Sequence, residues 1–161
     1  MNEEHLDMMR LEMQDVLENN ILPFWLEKMQ DNENGGFYGR IDGSGVLHPD
    51  AEKGAILNAR ILWTFSAAYR VLEKEELLEA ATRAKDYLVD HFIDPEYGGV
   101  YWSVDYKGEP LDTKKQFYAI AFAIYGLSEY ARATGNREAL EYAQDLYDCI
   151  EEHAFDNEQD G

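Results

Sequence analysis

The segment Asp31-Asn-Glu-Asn-Gly-Gly-Phe-Tyr38 returns as Asp94-Pro-Glu-Tyr-Gly-Gly-Val-Tyr101, and a third beginning, Asp156-Asn-Glu-Gln-Asp-Gly161, follows. The opening aspartates stand 63 and then 62 residues apart. Later landmarks keep the same step: Asp42 with Asp105, Gly45 with Gly108, Asp50 with Asp112, Ser66 with Ser128, Arg70 with Arg132 and His91 with His153. Self-similarity held over this many positions marks a stacked or circular array of one unit. The chain reads as two full copies, about 31–93 and 94–155, with a partial unit on either side.

Each copy has the same internal plan. Phe37-Tyr-Gly-Arg-Ile41 and Val100-Tyr-Trp-Ser-Val104 read as short strands, and Asp42-Gly-Ser-Gly45 and Asp105-Tyr-Lys-Gly108 as tight hairpin turns. A segment apolar on nearly every side comes next, Ala55 to Phe65 in one copy and Phe117 to Tyr125 in the other, and predicts a buried helix. The last segment is amphipathic, with Leu77, Ala81, Ala84 and Leu88, then Leu140, Ala143, Leu146 and Ile150, on its apolar side. Gly135-Asn136 separates the second helix pair, while Leu72-Glu-Lys74 does so in the first with little turn chemistry. Before the repeats, Glu3 to about Met29 predicts a helix that kinks or restarts near Asn19-Asn20, because Pro23 removes a backbone donor. Buried helices alternating with half-buried ones suit two concentric rings, an all-α toroid with small β-hairpins in its loops. Helical solenoids are the competing architecture, but their repeats commonly run about 33 to 47 residues and lack such a hairpin.

Composition narrows the function classes. The 161 residues carry 14 basic and 33 acidic side chains, a net charge of −19, which argues against nucleic acid or an anionic membrane surface as partner. A neutral small molecule is the simpler expectation. Cys149 is the only cysteine, so no internal disulfide framework is possible. No signal-peptide or membrane-spanning pattern is present, and cytoplasm is the expected compartment. Asp31-Asn-Glu-Asn-Gly lacks the alternating ligands and the closing Glu of a calcium loop, and no zinc, nucleophile-elbow or phosphate-loop motif occurs.

The repeat supplies an internal control, since a residue needed by the scaffold recurs in both copies while one needed by a site has no reason to. His91 and His153 recur at helix ends, where they can serve exposed carbonyls and the helix dipole. His5 and His48 read as solvated residues. Arg60 breaks the repeat, because its counterpart is Phe122; Tyr118 likewise stands opposite Ile56, and Asn58 opposite Ile120. A guanidinium in a buried helix must face a polar cavity or pair with a carboxylate. Either reading is open: an arginine satisfied within the core, with Asn58 and Tyr118 filling gaps, or a polar pocket at the centre of the ring. Trp63, Phe65, Tyr101, Trp102, Phe117, Tyr118 and Tyr125 add aromatic planes of the kind on which sugar rings stack, an inventory that suits a packed core nearly as well.

The run Lys53-Gly-Ala-Ile-Leu-Asn-Ala-Arg-Ile-Leu-Trp-Thr-Phe-Ser-Ala-Ala-Tyr-Arg70, with Gly98-Gly-Val-Tyr-Trp102 and Phe122-Ala-Ile-Tyr-Gly-Leu-Ser-Glu-Tyr130, resembles the N-terminal part of the N-acylglucosamine 2-epimerase superfamily, in its cellobiose 2-epimerase branch. The resemblance covers essentially the whole chain. It implies an (α/α)6 barrel of which residues 1–161 are the N-terminal part, and a sugar isomerase that needs neither metal nor redox cofactor. The implied reaction epimerises C2 of the reducing-end glucose of cellobiose or a related β-1,4 disaccharide, through ring opening and an enediolate.

By the same resemblance Arg60 matches a sugar-contacting arginine and Tyr118 a tyrosine of the same pocket, and Arg60 would stabilise the developing oxyanion. Two histidines serve that family as acid and base, and none of the four here matches them. The expectation is therefore a partial chain, inactive alone, of a monomeric or homodimeric protein with a small carbohydrate as substrate. N-acylglucosamine or mannose epimerases are close alternatives. A glycoside hydrolase on the same toroid would need a carboxylate pair, against which stands the recurrence of Asp50 and Asp112 in both copies. A non-catalytic binding scaffold is the third class.

Overall fold

The computed structural model describes residues 3–156 and 158–159. The chain divides into two compact units, one ending at Gln30 and one starting at Asp31. In the first, α1 (Glu3–Val16) runs through a wider turn, Leu17–Ile21, into α2 (Leu22–Lys28). The Leu22 N–H donates to the Leu17 carbonyl, five residues back, and Pro23 follows in the first turn of α2. Since Pro23 has no N–H to continue the ordinary ladder, the helix restarts where the sequence places the interruption.

The second unit holds β1 (Lys53–Gly54), α3 (Ala55–Leu72), α4 (Glu75–Phe92), β2 (Ser103–Val104), β3 (Pro110–Asp112), α5 (Phe117–Thr134) and α6 (Arg137–Ala154). It consists of two helical hairpins, α3 with α4 and α5 with α6, joined by packing of α3 on α5. Gly126 permits that last contact: a Cβ there would lie 2.7 Å from the Ala59 carbonyl oxygen. Leu62, Phe65, Ile120 and Leu127 fill the seam with essentially no exposure, and burying each such side chain contributes about 1.5–3 kcal/mol.

On α4 the predicted stripe of Leu77, Ala81, Ala84 and Leu88 is buried throughout. On α6 the stripe is corrected. Leu140 is exposed, and the buried line is Ala139, Ala143 and Leu146, which follow the i, i+4, i+7 spacing of one helix side.

The strands differ from expectation in place and partner. Neither Phe37–Ile41 nor Val100–Val104 forms a continuous strand: the first hairpin is reduced to an Ile41–Leu47 bridge, and in the second run Ser103–Val104 is strand while Val100 makes a single bridge to Ile93. Two consecutive glycines with positive φ, Gly35-Gly36 and Gly98-Gly99, bend the chain just before these segments. The chain then drives Phe37 and Val100 into the core. The sheet that does form links the copies. β1 pairs antiparallel with β2, Lys53 opposite Val104 and Gly54 opposite Ser103, and β2 pairs with β3 through a bulge.

Residues that recur in both copies hold loops. Asp42 Oδ1 accepts from the Ser44 and Val46 N–H groups, and Asp105 Oδ1 from those of Lys107 and Glu109. His153 Nδ1 lies 3.0 Å from the Cys149 carbonyl of its own helix, the predicted use. His91 instead meets the tip of the second hairpin, its Nδ1 3.0 Å from the Gly108 carbonyl.

The opening aspartates carry the largest structural role. Asp31 is fully buried; its Oδ1 accepts from the Glu33 and Asn34 N–H groups and its Oδ2 from Lys53 Nζ at 2.8 Å. Lys53, also fully buried, donates to the Gly35 carbonyl and lies over the Tyr87 ring, while Arg83 donates to the Gly36 and Asp31 carbonyls. The second copy repeats the clasp, with Asp94 Oδ1 taking the Glu96 and Tyr97 N–H groups and Oδ2 taking Lys115 Nζ at 2.6 Å. Each lysine stands two residues before an inner helix, so each clasp ties a loop's beginning to a helix's entry. Burial acts to raise both carboxyls, but the lysine and the two backbone donors outweigh it and lower both, Asp94 to about 2.

Two outcomes are expected. Because the folded carboxyls titrate below the unfolded value of about 3.9, the clasps contribute their full stability above about pH 5 and lose it as pH falls toward 2. In urea unfolding of the chain, Asp94→Asn should lower stability at pH 7 by about 1–3 kcal/mol and flatten the decline between pH 5 and 2. Separately, Glu73 ends α3 at φ 55, the left-handed conformation that Gly135 takes at φ 75 in the second copy. Glu73→Gly should therefore raise the unfolding free energy by about 0.5–1 kcal/mol.

Candidate functional site

The inner helices α3 and α5 are not covered on every side, as their all-round apolar composition predicted. Each keeps one exposed side, and the residues that break the repeat lie there. Arg60 is exposed, and among the described residues no carboxylate pairs with it. Of the two readings open for it, a carboxylate pair or a polar cavity, the carboxylate pair is not formed among the described residues, and the guanidinium reaches solvent. Tyr118 is 63% exposed, its ring meeting that of Phe122 edge-on at 5.0 Å.

Between these two polar groups runs an aromatic surface. Trp63 and Tyr125, which occupy equivalent positions in the two copies, stack at 5.0 Å with ring planes 10° apart, and Phe122 meets Tyr125 edge-on at 6.4 Å. Each pair of inner-helix residues one turn apart shares a side, which puts Arg60 next to Trp63 and Tyr118 next to Phe122. The face thus offers the donors of a guanidinium, which has no acceptor, a phenol that can donate or accept, and flat apolar rings.

Asn58 does not join them. It is fully buried, its Nδ2 donates to the Gly54 carbonyl at 2.9 Å, and its Oδ1 is buried without a hydrogen-bond partner among the described residues. At about 100° per residue, two positions separate it from Arg60 by more than half a turn. The structure assigns its amide to the entry of α3 rather than to the exposed side.

Histidines are engaged elsewhere. His48 Nε2 is 3.0 Å from Asp42 Oδ2, and His91 and His153 hold backbone carbonyls. Among the described residues no group of His, Cys, Asp and Glu could hold a metal ion, and no helix is long and apolar enough to cross a membrane. Sequence reading missed Lys53 and Lys115, which set the entries of α3 and α5. The signal was present, since they stand 62 residues apart in step with the other landmarks.

Cellobiose 2-epimerase of Bacteroides fragilis is 64% identical over 155 residues, covering 96% of this chain and 40% of that protein. The solved structure of cellobiose 2-epimerase from Bacillus thermoamylovorans B4167 superposes with a TM-score of 0.94 at 48% identity, covering 96% of this chain and 40% of that one. The chain thus spans about 40% of the length of these relatives. A family 76 α-mannanase from Bacteroides thetaiotaomicron shares the fold at 20% identity and a TM-score of 0.70. The helical hairpins are those of an (α/α)6 toroid, of which this chain holds an incomplete part. Residues 36–161 match the N-acylglucosamine 2-epimerase (GlcNAc 2-epimerase) family, and the chain belongs to that family.

Proposed function

We propose that residues 1–161 supply one wall of the active site of an enzyme that epimerises C2 of the reducing-end glucose of cellobiose or a related β-1,4 disaccharide. The observation that carries this reading is Arg60, a cation that interrupts the repeat and stands exposed beside the Trp63–Tyr125 stack. The names of the relatives, cellobiose 2-epimerase, supply the substrate class. On this reading the sugar ring opens, a base removes the C2 proton beside the C1 carbonyl, and the enediolate is reprotonated from its opposite face. Arg60 donates to the oxygen on which negative charge develops, and Tyr118 hydrogen-bonds a neighbouring hydroxyl.

The acid and base are assigned to histidines outside these 161 residues, since His48, His91 and His153 are held in loops and at helix ends. Neither a metal nor a redox cofactor is required by a proton transfer of this kind. A cytoplasmic monomer or homodimer is the setting that this reading assigns to the whole protein.

The test uses the full-length protein and cellobiose. Wild type should form glucosyl-mannose, and Arg60→Ala should lower kcat by about 10²- to 10³-fold with the thermal midpoint unchanged. Arg60→Lys should recover part of that loss. A wild-type protein that forms no glucosyl-mannose, or an Arg60→Ala variant with undiminished kcat, contradicts the proposal.

A further inference from the structure

Asn34 is followed by Gly35, and no other asparagine of the chain precedes a glycine. An asparagine in this setting can react with its own backbone. The nitrogen of the next residue attacks the side-chain carbonyl carbon, Cγ, and the new N–Cγ bond closes a succinimide ring. The side-chain nitrogen leaves as ammonia, taking the proton of the attacking N–H. Water then opens the ring at either carbonyl, giving aspartate or isoaspartate. A glycine on the attacking side has no Cβ to hinder the closure.

The first loop occupies each group that this reaction needs. The Gly35 N–H, the attacking group, donates to the Asp31 carbonyl at 3.0 Å, and the Asp31 N–H donates to the Gly36 carbonyl at 3.1 Å. The Asn34 amide, the leaving group, has its Nδ2 3.3 Å from Asp31 Oδ2 and 3.5 Å from Oδ1, and the Asn34 N–H donates to Oδ1 at 2.9 Å. Gly35 and Gly36 both take positive φ. The Tyr87 ring covers them so closely that a Cβ on Gly36 would come within 2.6 Å of it. Lys53 Nζ ties the arrangement together, since it donates to both Asp31 Oδ2 and the Gly35 carbonyl at 2.8 Å. Moving the Gly35 nitrogen onto Asn34 Cγ therefore requires the clasp to open.

The scaffold does not require the amide. In the second copy Tyr97 stands at the position of Asn34 and makes the same turn, its N–H donating to Asp94 Oδ1 at 3.1 Å and the Gly98 N–H to the Asp94 carbonyl at 3.0 Å. We propose that Asn34 is a deamidation site gated by the Asp31–Lys53 clasp, protected while the clasp holds and open to reaction with water once it parts. The step then locks itself. Its aspartate product has lost the donor that faced Asp31 and sets a second carboxylate beside the first, a like-charge contact that disfavours both. Lys53 is already engaged by Asp31 and the Gly35 carbonyl, and Arg83 by the Gly36 and Asp31 carbonyls. The isoaspartate product also lengthens the backbone of the turn. A chain that has opened here closes less well, and residue 34 records the opening.

Peptide mapping by mass spectrometry follows aspartate and isoaspartate at residue 34 of the full-length protein, held at mildly alkaline pH in buffer or in urea. Conversion in buffer should be about tenfold or more slower than in urea, because only the open population reacts. Lys53→Met should raise the buffer rate about tenfold. Lys53→Arg, which keeps a cation and covers the case in which Lys53→Met does not fold, should raise it about threefold. Asp94→Asn, which weakens the other clasp, should leave it within about twofold of wild type. Equal rates in buffer and urea, or a rise in Asp94→Asn as large as in the Lys53 variants, overturns the gating. Asn34→Asp, the aspartate product, should lower the urea midpoint; a midpoint equal to that of wild type overturns the locking step.

Discussion

The buried bond between a loop's first aspartate and the lysine at the threshold of an inner helix is the constraint on which the rest depends. Asp31 and Lys53 are 22 residues apart and Asp94 and Lys115 are 21 apart, and each pair closes a loop that contains a hairpin turn and three glycines with positive φ. Without the clasp, closing such a loop is an entropic cost with little apolar surface to offset it. Leaving either partner alone in the interior costs more than the pair itself contributes. The aspartate's second oxygen is occupied by backbone N–H groups and Lys53 by a carbonyl and the Tyr87 ring, so the Asp31–Lys53 pair is well satisfied. The direction in which α3 and α5 start is settled there, and with it the side on which Arg60 and Tyr118 emerge.

From that start the copies are joined twice. At the loop end, β1 of the first copy pairs with β2 of the second, and along the helices Gly126 lets α5 approach the Ala59 carbonyl of α3. Arg70 Nε donates to the buried Glu129 at 2.7 Å, which fixes the far end of the same seam. A scaffold held at both ends leaves the remaining side of each inner helix free to vary. That freedom explains how equivalent positions came to hold a stacking pair, Trp63 with Tyr125, beside an arginine in one copy and a phenylalanine in the other.

The sequence carried the unit, its length, the order of its helices and the restart at Pro23, because periodicity and repeat spacing are local signals. The repeat also sorted residues by role, and Asp42, Asp105 and His153 do hold loops and helix ends. It ranked Arg60 and Tyr118 together, and both emerge on the exposed side of the inner helices. Three things were not legible. Asn58 broke the repeat like the other two, but its position about 200° around the helix from Arg60 turns it inward to Gly54. Leu140 matched an apolar period yet stands outside the buried stripe, a difference of one residue in helical phase. The strands could not be placed, since their pairing runs between copies and composition gives no sign of which segment meets which.

In functional terms the chain provides a surface with a cation, a phenol and aromatic planes. Among the described residues His48, His91 and His153 are held at loops and helix ends, and the proposed reading places the acid and base in the rest of the protein. A crystal structure of the full-length protein with cellobiitol, the reduced and unreactive form of cellobiose, tests this division most directly. The account predicts the opened end within hydrogen-bond distance of Arg60 and Tyr118. A ligand bound elsewhere, with Arg60 still facing solvent, would contradict it.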